Sequence, residues 1–215
     1  MGGRTYAVLG TGAVGGFYCA RLAAAGHEVH FLLRSDYDHV RRRGLRVDSP
    51  LGDVHLPHPC IYNDVNQLPP VDVALVCTKT TAPPPLPPHA GIVVLMQSGL
   101  GNEAGVEPHL PPGTPVLGGL CFLCSNEVGP GHIRHLDFGR VTLAQHRATT
   151  VTPAVAAVAA DLSGAGVPVA AAADLELAAG TSWFGTSRST HCRSCSTHRP
   201  RTCSPTPARA SSSTN

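Results

Sequence analysis

Near the start of the chain, Gly10-Thr11-Gly12-Ala13-Val14-Gly15 has the residue types and spacing to hold a pyrophosphate. In such a G-x-G-x-x-G turn the first glycine permits a sharp exit from a strand. The second lets the backbone approach the phosphates without a Cβ, and the third lets the following helix pack close to the sheet. The phosphates would meet free backbone N–H groups at a helix N-terminus, where the helix dipole favours negative charge. A second candidate group is Leu32-Leu33-Arg34-Ser35. An NAD-type site places Asp or Glu there to hold the ribose 2′-hydroxyl; Arg34 instead offers forked donors suited to a 2′-phosphate, and Ser35 can add a hydroxyl. NADPH is therefore favoured over NADH. Asp36 is expected to cap a helix over residues 37–43 rather than hold the ribose.

These residues need a strand, a glycine turn, a helix and a second strand in order, and the flanking sequence supplies them. Residues 6–9 form a short apolar run, residues 16–25 carry Phe17, Ala20, Leu22 and Ala24 at helical spacing before Gly26, and residues 28–33 read as the second strand. Residues 6–33 thus make a βαβ unit, in which parallel strands require a crossover helix. Residues 71–77 and 92–96 read as strands buried on both faces, and residues 116–122 as another. Residues 132–143 read as a more polar, partly antiparallel pair, 153–162 as a helix and 167–170 as a closing strand. The alternation predicts an α/β protein with a doubly wound, Rossmann-type, mostly parallel sheet.

The chain has 215 residues, 42% of them hydrophobic, enough for one well-filled domain plus a fragment at roughly 100–200 residues per domain. The expected division is a nucleotide-binding domain over residues 1–177 and a tail over residues 178–215. A formal charge of +2 argues against a nucleic-acid or membrane partner, and Arg41-Arg42-Arg43 reads as a solvated helix face. No apolar stretch approaches the roughly 18–20 residues of a membrane span, and the start runs into a strand without a signal-peptide core, so a cytoplasmic protein is expected. Of the eight cysteines, Cys19, Cys60, Cys77, Cys121 and Cys124 sit in or beside apolar patterns and are expected to be reduced core residues.

In combination, G-T-G-A-V-G-G at 10–16, A-G-H-E-V at 25–29, L-L-R-S at 32–35, C-T-K-T at 77–80, Q-S-G-L-G-N at 97–102 and G-P-G-H-I at 129–133 resemble the N-terminal domain of ketopantoate reductases (2-dehydropantoate 2-reductases). The resemblance runs from residue 6 to about residue 177. It implies an NADP-dependent oxidoreductase that reduces 2-dehydropantoate to pantoate in pantothenate biosynthesis, with no metal. Reduction of another small 2-keto acid, an NADP(H)-binding module without turnover, and a tail that binds an acidic partner stay open. By the same resemblance Lys79 contacts the cofactor near its adenosine phosphates or ribose. The loop over residues 97–101 meets nicotinamide and substrate, with Ser98 where the family usually has a longer-reaching Asn. Ser125 is implied as a further cofactor contact. Residues 82–88, rich in proline, are expected to form a polyproline-like loop where relatives have a short helix.

Hydride transfer to a keto group needs a cation or acid at the developing alkoxide, and the resemblance implies a lysine from an all-helical second domain, in a K-L-x-W-N segment just beyond residues 175–179. The sequence has no lysine after Lys79, so no catalytic residue is assigned and impaired catalysis is expected. After Leu177 the composition turns to Ser, Thr, Arg, Pro, Cys and His, which predicts disorder. Written with permissible codons, residues 180–190 read D-K-L-V-W-N-I-P-F-N in the neighbouring frame, which points to a frameshift that removed the helical domain. That reading sets aside a zinc site built from Cys192 and Cys195 with Cys121 and Cys124. The surface that would dock against the helical domain offers a route to self-association.

Overall fold

The computed structural model describes residues 3–80, 86–87, 89–99 and 101–179. Most of the proline run at 82–88 and all of the tail from residue 180, with the disorder, reading-frame and zinc expectations attached to them, lie outside the described residues.

In chain order the elements are β1 (Thr5–Leu9), α1 (Ala13–Ala24), β2 (Glu28–Leu32), α2 (Tyr37–Arg43), β3 (Leu45–Asp48), β4 (Val54–Leu56), β5 (Cys60–Tyr62), β6 (Val71–Val76), β7 (Ala90–Leu95), α3 (Asn102–Val106), β8 (Val116–Gly129), β9 (His132–Gln145), α4 (Pro153–Gly164) and β10 (Val169–Ala171). All the strands join one sheet in the order β4-β3-β9-β8-β7-β6-β1-β2-β5, with β10 also paired to β9. From β5 to β8 every neighbouring pair is parallel. The chain runs from β1 to β2, crosses to the far edge of the sheet as β3 and β4, comes back beside β2 as β5, then passes to the other side of β1 as β6 and winds outward through β7 to β8. That reversal places a crevice beyond the carboxyl ends of β1 and β6, where doubly wound sheets bind ligands.

Alternate residues of the central strands feed two cores. Tyr6, Val8, Val29, Phe31, Val73 and Leu75 pack on one face with Phe17 of α1 and Val155, Val158 and Leu162 of α4. Ala7, Leu9, Ala74, Val76, Val93 and Leu95 face the other way, against Val106 of α3 and connecting residues such as Leu68 and Leu86. Burying each large aliphatic or aromatic side chain contributes about 1.5–3 kcal/mol. The first residues of the sheet are fastened to α4: the Arg4 guanidinium lies 2.6 Å from Asp161 Oδ2, and the Tyr6 hydroxyl donates to the same oxygen at 2.5 Å. Burial, followed by the Asp161 contact, pushes the Tyr6 phenol far above its ordinary range, so that hydroxyl stays a donor.

The structure differs from the sequence expectations in several places, and residues 132–143, expected as a pair, lie in the single strand β9. Helix α1 begins at Ala13, directly after the glycine turn, because Gly12 already serves as its N-cap. Strand β8 runs on to Gly129: Ser125, Asn126 and Glu127 are polar, but each pairs in register with β9, and one face of an antiparallel pair can be solvated. Strands β3, β4 and β5 escape the pattern because they are short and broken up by Pro50, Gly52, Pro57 and Pro59. Cys60, at the start of the edge strand β5, is exposed rather than part of the core; Cys19 and Cys124 are buried, and Cys77 and Cys121 half-buried. No helix among the described residues is long and apolar enough to cross a membrane.

Candidate functional site

The glycine loop joins β1 to α1 at the mouth of the crevice, and each glycine meets a different constraint. Gly10 has φ +97°, and a Cβ there would lie 2.8 Å from the Thr78 nitrogen of the loop after β6. The two loops that flank the reversal are therefore in direct backbone contact. At Gly15 a Cβ would fall 2.2 Å from the Gly10 carbonyl oxygen and 3.0 Å from Cys77 Cβ, so only a glycine lets α1 start this close to the turn. At Gly12 the Cβ direction is open: among the described residues the one heavy atom within 4 Å is Glu127 Oε2, at 3.8 Å. Thr11 ties the loop sideways, donating its hydroxyl to the Leu32 carbonyl at the end of β2 at 3.3 Å. Ala13 and Val14 open α1, whose first N–H groups have no partner within the helix. An open-sided turn ending at a helix N-terminus is a cradle for an anion.

Beyond β2, Arg34 is exposed and makes no ion pair with any described residue. Asp36 occupies the N-cap position of α2, yet contrary to expectation its side chain makes no capping bond. Its backbone is already helical there, and the turn between β8 and β9 supplies a better donor: the Gly131 N–H reaches Asp36 Oδ2 at 2.8 Å. The Ser35 hydroxyl donates to Oδ1 at 2.9 Å, so it is engaged by its neighbour. Asp36 also shares a hydrogen bond with Glu127 of β8. Burial works against the Asp36 charge, but the Gly131, Ser35 and Glu127 contacts hold its carboxyl below the usual carboxylate range.

The loops after β6 and β7 are laced together. Gln97 donates to the Thr78 carbonyl at 2.8 Å and lies 3.1 Å from its hydroxyl, and the Thr80 hydroxyl donates to the Ser98 carbonyl at 2.9 Å. Asn102 reaches back to the Ser98 carbonyl at 3.4 Å. Lys79 and Ser98 are exposed at this rim, next to the glycine loop through the Gly10–Thr78 contact. The Ser125 hydroxyl donates to the Arg134 carbonyl within the β8–β9 pair at 3.3 Å. Sequence reasoning missed Glu127, which the fold brings above Gly12; its one signal was its place two residues before the Gly129-Pro130-Gly131 turn. Among the described residues no cluster of His, Cys, Asp or Glu is placed to hold a metal ion.

His135 supports the loop from behind. Its ring lies 4.3 Å from Phe17 of α1, its Nε2 is 2.9 Å from the Asp137 carbonyl and its Nδ1 is 2.8 Å from the Ser49 hydroxyl. A carbonyl only accepts, so the neutral ring carries its proton on Nε2 and takes the Ser49 hydrogen on Nδ1. Burial, the leading cause, lowers the His135 pKa. The unfolded chain then binds the extra proton more readily than the fold does, so stability is full above the ordinary histidine range and falls as pH drops through it. Thermal melts should show the midpoint falling below about pH 6.5, and His135→Gln should flatten that acid limb; an unchanged limb would exclude His135 as its source.

Residues 6–148 match the family described as ketopantoate reductase PanE/ApbA. The chain is 49% identical over 153 residues to a 2-dehydropantoate 2-reductase of Nostoc sp., an alignment covering 68% of this chain and 48% of the relative. It thus spans about half the length of the curated relatives it matches. Among solved structures, it resembles a 2-dehydropantoate 2-reductase from Geobacter metallireducens with a TM-score of 0.77 at 34% identity, over 85% of this chain and 62% of that one. It resembles one from Methylococcus capsulatus with a TM-score of 0.74 at 29% identity, over 85% and 61%.

Proposed function

We propose, because the chain belongs to the ketopantoate reductase PanE/ApbA family, that residues 1–177 form the NADP(H)-binding domain of a cytoplasmic, NADPH-dependent 2-dehydropantoate 2-reductase. The observation that carries the reading is the open side of Gly12 at the N-terminus of α1, with unpaired Arg34 at the end of β2. In this reading Gly10, Thr11, Gly12, Ala13, Val14 and Gly15 cradle the pyrophosphate, Arg34 and Ser35 take the 2′-phosphate, and Lys79 approaches the adenosine phosphates or ribose. Ser98 and Ser125 complete the cofactor contacts, Ser98 also meeting the keto acid. NADPH over NADH is supported by Asp36: the acidic side chain nearest the ribose position is already bonded to Gly131 and Ser35, which leaves Arg34 as the free recognition group.

The cofactor, when bound, supplies a hydride to the keto carbon. The residues of this chain bind and orient it, and the sheet edge with Gln97 and Ser98 positions the acceptor. A polypeptide of these 215 residues carries one lysine, Lys79, and the family's catalytic lysine has no counterpart in it, so in this reading no described residue is assigned to protonate the developing alkoxide. It should therefore bind NADPH while turning over 2-dehydropantoate at least about 100-fold more slowly than the roughly 10 s⁻¹ typical of enzymes. NADPH fluorescence titration paired with a consumption assay tests both halves. Binding without turnover supports the reading, turnover at an ordinary rate overturns the impaired-catalysis half, and absence of binding overturns the cofactor site.

A further inference from the structure

Glu127 stands above the glycine loop, and no sequence motif placed a functional residue there. Its Oε2 lies in the open direction over Gly12, 3.8 Å from where a Cβ would be. It is not there by chance contact alone: its carboxyl shares a hydrogen bond with Asp36, and Asp36 is held in turn by the Gly131 N–H and the Ser35 hydroxyl. The end of β8 thus carries an acidic group to the mouth of the loop. We infer that Glu127 guards the dinucleotide loop: its carboxylate occupies space that the cofactor's phosphates take, so binding displaces it and its charge weakens and tunes that binding. The inference rests on reading the loop as an NADP(H) site.

Two carboxyls that hydrogen-bond to each other hold one proton between them. Burial, then the bond to Asp36 and its charge, raises Glu127, whereas Asp36 is lowered, so the shared proton resides on Glu127. Beside the pair is His39 of α2, whose charge further lowers Asp36; Arg34, two residues before Asp36 in the sequence, is exposed. Across the ladder the partner of Glu127 is the apolar Ile133, and the glycine loop itself carries no titratable side chain. As pH rises above the ordinary glutamate range the proton leaves, and a full carboxylate then opposes an incoming pyrophosphate. Glu127 is exposed, so it can swing aside and lowers affinity without preventing binding.

The test is NADPH titration of the 215-residue chain and of its Glu127→Gln and Glu127→Ala variants at about pH 5 and about pH 8. Glutamine keeps the shape and removes the charge; alanine removes both. Both variants should bind NADPH about five- to tenfold more tightly than the parent chain at the higher pH, the scale expected of one like-charge contact near a surface. The gap should narrow at the lower pH, a dependence that a merely structural residue would not produce. Equal affinity of all three chains at both pH values, or weaker binding by the variants, overturns the guard. Failure of all three to bind NADPH overturns the cofactor reading itself, and the guard with it.

Discussion

Replacing Gly12 by alanine should leave the fold within about 1 kcal/mol of its original stability and yet weaken NADPH binding at least tenfold, whereas Gly15→Ala should damage the fold itself. The two glycines lie in one turn and differ in what a methyl group would strike. At Gly12 the direction is clear of every described atom except the movable Glu127 side chain, so the new methyl costs little until a phosphate tries to approach. At Gly15 it would press on the Gly10 carbonyl at 2.2 Å and on Cys77 at 3.0 Å, neither of which can yield without separating α1 from the sheet. Overpacking of that kind costs roughly 1–3 kcal/mol and occasionally more, a large part of the 5–15 kcal/mol that typically separates folded from unfolded chains. Urea denaturation and NADPH titration on the same preparations read the two effects separately. Undiminished NADPH affinity in Gly12→Ala would show that the loop is not the phosphate cradle.

Arg34→Ala should weaken NADPH about 10- to 100-fold while leaving NADH binding nearly unchanged. Hydrogen bonds to charged groups contribute roughly 1.5–3 kcal/mol, and about 1.4 kcal/mol corresponds to a factor of ten. Arg34 is exposed and supports no described ion pair, so its removal costs the fold almost nothing and the effect appears in the binding ratio. Arg34→Lys should recover part of the loss, since a point charge replaces the forked donors. Equal losses for both cofactors would mean that Arg34 acts on the shared part of the dinucleotide and not on the 2′-phosphate.

The glycine turn and its flanking elements were legible because their information is local: a short continuous apolar run, three spaced glycines and a helical pattern all fall within residues 6–33. The strands at 71–77 and 92–96 were legible for a related reason, since strands buried on both faces must be apolar throughout. What stayed hidden depends on partners far along the chain. Asp36 looks like a helix cap until the Gly131 N–H arrives from the turn between β8 and β9. The polar stretch Ser125-Asn126-Glu127 looks like a loop until β9 pairs with it. Strands β3 to β5 are too short for any period to show, and their partners define them: β9 for β3, β3 for β4 and β2 for β5.

The fastening of Arg4 and Tyr6 to Asp161 also fixes when, during synthesis, the nucleotide loop can become rigid. Tyr6 and the loop that follows it leave the ribosome well ahead of the carboxylate that anchors their strand, since Asp161 lies 155 residues after Tyr6. At roughly 5–20 residues per second the interval is on the order of ten seconds, during which the buried hydroxyl of Tyr6 lacks its acceptor and the face of β1 that α4 will cover is bare. Contacts this distant in sequence slow folding because the chain must close a long loop before they form. A nascent chain halted before residue 161 would therefore present a complete glycine motif on an unfinished sheet, a substrate for chaperones and proteases rather than for a dinucleotide.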